Sequence, residues 1–99
     1  MKKTFSFEST VIVYPGMAAW RFAYVPRVLS VEIKKRFSAM KRGWGSLPVT
    51  AKIGQTSWES SIFPDSKSSC YLLPLKLAVR KKEKVMDGGK VLVSIRLRV

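Results

Sequence analysis

The sequence predicts a mainly β domain: a small six-stranded barrel with two short helices, built from two strand–strand–helix–strand halves. Three observations carry this. Segments that alternate polar and apolar residues recur along the chain, each cut off by Pro or Gly. Two stretches with helical spacing each follow a strand that meets a proline. The order of elements in the first half returns in the second, and closure of six short-linked strands removes the exposed edges that invite aggregation.

Phe5, Phe7, Ser9, Val11 and Val13 alternate with Ser6, Glu8, Thr10, Ile12 and Tyr14, the period of a strand with one face more buried than the other. Pro15 and Gly16 end it. A second strand, Trp20 to Val25, stops at Pro26, whose fixed φ and missing N–H suit the first turn of a helix. Leu29, Ile33, Phe37 and Met40 then recur at helical spacing among Lys34, Lys35, Arg36 and Lys41, and Gly43 and Gly45 close that helix. Leu47, Val49, Ala51 and Ile53 share one face of a third strand, and Gly54-Gln55 turns it into a fourth, Thr56 to Phe63. A polar loop from Pro64 to Ser69 leads to a short strand, Cys70 to Leu73, which meets Pro74. Leu75 to Lys84 reads as a basic helix with its apolar stripe on Leu75, Ala78 and Val79. Asp87-Gly88-Gly89 is a turn, and the last strand places Val91, Val93, Ile95, Leu97 and Val99 on one face. Val25-Pro26 is echoed by Leu73-Pro74, which suggests an internal twofold.

Ninety-nine residues make a single domain spanning 1–99, and 46% hydrophobic content supplies a core. Nineteen Lys and Arg against six Asp and Glu leave a formal charge of +13, a field that draws polyanions. Cys70 is the single cysteine and histidine is absent, which excludes an intrachain disulfide, a Cys/His zinc site and any His-based triad. No signal-peptide or membrane-spanning run is visible, so the expected location is the cytoplasm of a bacterial cell, with no membrane partner.

Gly43-Trp44-Gly45-Ser46-Leu47-Pro48-Val49, Gly54 with Trp58, Phe63-Pro64, and Tyr71-Leu72-Leu73-Pro74-Leu75 running into Val79-Arg80-Lys81 together resemble the bacterial family of unknown function DUF1905. The likeness extends from about Phe5 to Leu97. It implies a small β-barrel, found alone or joined to domains associated with bacteriocin protection, with no established activity. Family members often carry Gly-Asp before the last strand, where this chain reads Asp87-Gly88-Gly89-Lys90.

Two places stand out as candidate binding chemistry. Trp44, between two glycines and just after Arg42, is either presented for stacking on a ring with cations nearby for phosphate, or folded back as a lid on the barrel end. Lys76 and Arg80, four apart on a helix, share a face; Tyr71 and the Ser66 to Ser69 loop with Lys67 lie just upstream, so the group is either an anion site or a solvated basic face. Among the acids, Glu59 and Asp65 are the pair that could converge for catalysis or for a divalent metal. Gly88-Gly89-Lys90 lacks the spacing, the Ser or Thr and the helix of a phosphate loop. The reading is a non-enzymatic binding module without cofactor or metal, holding an anionic or aromatic ligand at one end of the barrel through Arg42, Trp44, Lys67, Tyr71, Lys76 and Arg80. Its alternatives are an accessory module for a protein partner or a homodimer, and general nucleic-acid binding through the basic surface.

Overall fold

In the computed structural model, which describes residues 2–14 and 20–99, period-two alternation becomes a closed barrel. The strands are β1 (Thr4–Val13), β2 (Arg21–Tyr24), β3 (Leu47–Ile53), β4 (Thr56–Asp65), β5 (Cys70–Pro74) and β6 (Lys90–Leu97). Helix α1 (Arg27–Phe37) follows β2, and α2 (Leu77–Lys82) follows β5. The ring order is β1-β2-β5-β4-β3-β6, and every neighbouring pair is antiparallel. The expected strand end at Pro15 and Gly16 lies outside the described residues.

One set of alternate side chains fills the interior. Phe5, Phe7 and Val11 from β1, Leu47, Val49, Ala51 and Ile53 from β3, Trp58 and Ile62 from β4, and Val93, Ile95 and Leu97 from β6 are buried together with Ala23, Tyr71 and Leu73. Ala51 stands directly opposite Trp58, a small residue beside a large one. Burying a side chain of Leu, Ile or Phe size contributes about 1.5–3 kcal/mol, against ~0–1 kcal/mol for an exposed ion pair. The interior therefore holds the fold, and the surface is left available for other uses.

The internal twofold is present, two residues away from the echo the prolines suggest. The Val25 N–H donates to the Tyr71 carbonyl at 2.8 Å and the Leu75 N–H to the Arg21 carbonyl at 2.9 Å, so Val25 matches Leu75 and Pro26 matches Lys76. Pro26 and Lys76 have nearly the same backbone, φ −51°, ψ 146° and φ −59°, ψ 144°, and each precedes the first residue of its helix. Pro74 instead lies inside β5, paired with Phe22. Because β2 and β5 run antiparallel and each leads directly into a helix, α1 and α2 leave the barrel at opposite ends.

Both helices are shorter than their spacing predicts. α1 ends at Phe37; Met40 falls in a 3-10 turn, Ser38–Met40, and is exposed. α2 ends in a left-handed turn at Lys84 (φ 53°), closed by the Val85 N–H on the Arg80 carbonyl. Of its expected stripe, Leu75 and Val79 are buried and Ala78 is exposed. β4 runs through Pro64 and Asp65, which pair with Tyr71 and Cys70, so the polar loop shrinks to residues 66–69.

Candidate functional site

Along β2 the inward residue is Ala23, which leaves Phe22 and Tyr24 on the outside, in line with Trp20 just before the strand. Across the ladders Phe22 lies between Ile12 and Pro74, and Tyr24 beside Leu72, which in turn faces Phe63. Tyr14 meets Phe22 edge to face, ring centroids 5.5 Å apart and planes at 67°. Trp20 stacks on the same ring at 5.9 Å and 19°. This outer face holds a contiguous aromatic surface, although Trp20 and Tyr14 remain 48% and 43% exposed. Nothing in the core requires rings here, and contiguous exposed apolar patches ordinarily mark contact surfaces.

A shallow cleft opens at each end of this aromatic strip. Beyond Trp20, a cleft of about 630 Å³ is walled by Arg21, Glu59, Leu75, Lys76 and Arg80. Beyond Tyr24, one of about 440 Å³ is walled by Ile12, Tyr14, Asp65, Lys67 and Ser68. The strip therefore runs from Lys76 at one end to Lys67 at the other. The Tyr24 phenol is held above its ordinary pKa, first by partial burial and then by the neighbouring Asp65, so its O–H stays protonated at neutral pH. Asp65 turns its carboxylate into its own loop, accepting from the Ser68 N–H at 3.3 Å and the Ser68 hydroxyl at 2.7 Å.

The residues expected to form one site are separated by the barrel. Tyr71 points inward, is 5% exposed and has its phenol pKa raised by burial. It also lines a third cleft, with Arg27, Lys34 and Lys35 of α1, at the other end of β5 from Lys76 and Arg80. Joining it to those two cations treats neighbours in sequence as neighbours in space, which an extended strand contradicts, since the five residue steps from Tyr71 to Lys76 span about 17 Å. Lys76 and Arg80 do share a cleft. The Arg80 guanidinium is partly committed, since its Nε donates to the Leu75 carbonyl at 3.0 Å.

Trp44 is no lid. It is 93% exposed, on a turn fastened by four hydrogen bonds: the Arg42 N–H to the Ser46 carbonyl, the Gly45 N–H to the Arg42 carbonyl, and the Ser46 N–H and hydroxyl to the Gly43 carbonyl. Its backbone is left-handed (φ 63°), a conformation that costs a non-glycine residue about 1–2 kcal/mol. Gly45 sits so close to Pro64 that a Cβ there would lie 3.1 Å from its ring, which puts the turn beside β4, next to Phe63. Arg42 is exposed on the same turn.

All six acids are engaged locally. Asp87 accepts a bidentate pair from Arg21 (2.8 and 3.1 Å), Glu32 pairs with Arg36 at 2.9 Å, Glu59 with Arg98 at 3.6 Å and Glu8 with Lys90 at 3.9 Å. Glu83 takes the Thr56 hydroxyl, and Asp65 is held by Ser68. Glu59 and Asp65 lie six residues apart on one strand, about 20 Å along it, so the carboxylate pair that catalysis or a metal would need does not form. Among the described residues no group of three His, Cys, Asp or Glu side chains could hold a metal ion. No helix among them is long and apolar enough to cross a membrane.

Sequence reasoning missed the aromatic strip, although its signal is present: Trp20, Phe22 and Tyr24 at alternate positions, with Tyr14 across the hairpin. The model of one protein family, described as a domain of unknown function (DUF1905), matches residues 7–95. Among curated proteins none matches the chain.

Proposed function

The chain belongs to the DUF1905 family, and from that premise we propose that it is a binding module whose ligand carries both flat rings and negative charge and lies on the outer face of β2. The observation that carries this reading is the strip Trp20, Phe22 and Tyr24, joined by Tyr14 and bounded by Lys76 and Lys67. Exposed rings alone would suit any apolar partner. Lysines at both ends, on a surface whose acids are already engaged, select an anionic one. The Arg42 and Trp44 turn stands at the β4 border of this face and is outside the proposed contact.

The test uses the intrinsic fluorescence of a Trp44→Phe protein, in which Trp20 is the exposed emitter and Trp58 is buried. A nucleoside monophosphate, as a small aromatic anion, quenches the exposed emission saturably, and Lys67→Ala with Lys76→Ala weakens that binding without lowering the melting temperature. Quenching that never saturates, or that ignores both lysines, contradicts the reading.

Trp44 itself favours a second reading. A nearly naked indole on a stiff turn has the character of an anchor for a protein partner, because aromatic anchors that need no ordering dominate interface energies. Trp44→Ser separates the two: it removes the partner contact and leaves the mononucleotide titration as it was.

A further inference from the structure

We infer that the ligand of the aromatic face is single-stranded nucleic acid, an inference that rests on the binding-module reading and narrows its ligand class. The geometry points this way in three steps. Trp20 and Tyr24 stand about 13 Å apart along β2, with Phe22 between them, a linear platform longer than one base. Trp20 and Phe22 are already stacked and Tyr14 braces Phe22, so the rings are ordered before any ligand arrives and little entropy is lost on binding. The cations lie at the two ends of the platform, Lys76 past Trp20 and Lys67 past Tyr24, where a backbone passing over stacked bases enters and leaves.

The other occupants of such a face fit less well. A second copy placed ring to ring about a twofold would bring +13 against +13 and set lysines near lysines. A duplex keeps its base faces inside the stack, so it would use the lysines and leave the rings unused. A single mononucleotide covers one ring of the platform and reaches one lysine. An unpaired strand can reach both lysines and the rings at the two ends of the strip, Trp20 and Tyr24, at once, with Phe22 held between Trp20 and Tyr14 as their support, and such stacking needs no base-specific hydrogen bonds.

The experiment measures anisotropy of a fluorescein-labelled deoxythymidine decamer titrated with the full chain, in 50 to 200 mM salt. Unlabelled decamer, a ten-base-pair duplex and deoxythymidine monophosphate serve as competitors. The inference expects the decamer to bind at least tenfold more tightly than the duplex or the mononucleotide. Trp20→Ala should weaken the decamer about tenfold or more. Lys67→Ala with Lys76→Ala should reduce the slope of log K against log salt by about 1.4, at ~0.7 per single-strand phosphate contact. Circular dichroism melting of each variant separates lost contact from lost fold, and Tyr24→Ala provides a second ring should Trp20→Ala unfold the chain.

Equal affinity for duplex and decamer, or a decamer indifferent to both ring substitutions, overturns the inference. If the mononucleotide quenches Trp20 and the decamer binds no better, single-stranded nucleic acid is excluded and the aromatic-anion reading stands. If neither ligand touches Trp20, both fall. Concentration-dependent association abolished by Trp20→Ala, seen in sedimentation without nucleic acid, assigns the face to a second copy instead.

Discussion

Single side chains settle which groups are free to act. Arg21 and Asp87 illustrate the point, because a cation beside Trp20 is already claimed by a bidentate carboxylate. The hydrogen bond from Arg21 holds the Asp87 carboxyl below its ordinary range, with the charges of Arg21 and Arg80 adding to it. A carboxylate whose folded pKa is lowered contributes stability that is fully present above the unfolded value, about 3.9, and is lost as pH falls through the folded one. Asp87→Asn should therefore melt below the parent at pH 6, and the gap in Tm should close as pH is lowered through 4 toward 2. A gap that stays constant over that range would show that the pair contributes through packing alone. Trp44 and Lys84 show the opposite economy, each holding a left-handed backbone where glycine is ordinarily used. At Lys84 the turn terminates a helix. At Trp44 the same strain presents an indole to water.

At the scale of elements, Ser30 joins α1 to the barrel. Its hydroxyl donates to the Val25 carbonyl and accepts the Tyr71 N–H, both at 2.9 Å and both buried, so one small side chain ties the end of β2 and the start of β5 to the first turns of the helix. Ser30→Ala leaves both groups without that partner and should cost about 1–3 kcal/mol, read as a lowered denaturant midpoint in equilibrium unfolding. A midpoint within error of the parent would show that the helix is held by Ile33 and Phe37 alone.

The elements also show what the sequence made legible. Alternation survives in Phe5, Phe7 and Val11 and in Leu47 to Ile53 because those faces are buried, and a buried face fixes register strongly. Val13, expected on the same face of β1, is exposed where the strand runs out past the core. The lengths of the helices did not survive. Met40 and Ala78 satisfy helical spacing, but spacing records periodicity and not whether a surface exists for the side chain to cover. β2 hid its role for a related reason. Both of its faces are apolar, Ala23 inward and Phe22 and Tyr24 outward, so its alternation carries no contrast, and only the pairing with β1 and β5 gathers Ile12, Tyr14, Leu72 and Pro74 around it. Lys67 and Lys76 were readable as candidates from charge. Their place at opposite ends of one strip, with Tyr71 turned away into the core, required the topology.

For the whole molecule, closure into a barrel with a twofold-related pair of helices satisfies the backbone and the core, and leaves two unlike outer faces. Where β1 meets β6 and β6 meets β3 the outward residues are mostly polar or charged, with Thr4 opposite Arg96, Ser6 opposite Ser94 and Lys52 opposite Ser94, and Leu92 opposite Glu8 is the exposed apolar exception. Where β1, β2, β5 and β4 meet, they are Ile12, Phe22, Tyr24, Leu72, Pro74 and Phe63. The internal symmetry of the backbone is thus broken by side chains on one side of the barrel, and that side is the one proposed to meet the ligand. Lysines and arginines also cluster on α1 and α2, so charge by itself would not confine an anionic ligand to this face; the rings localise it. The most direct test is nuclear magnetic resonance shift mapping of the 15N-labelled chain with an unlabelled deoxythymidine decamer at 150 mM salt. The largest changes should fall on the Trp20 indole N–H and the amides of Phe22, Tyr24 and Leu72, with Thr4, Ser94 and Arg96 unmoved. Changes spread evenly over the lysines and arginines, or concentrated on the β1–β6 face, would contradict it.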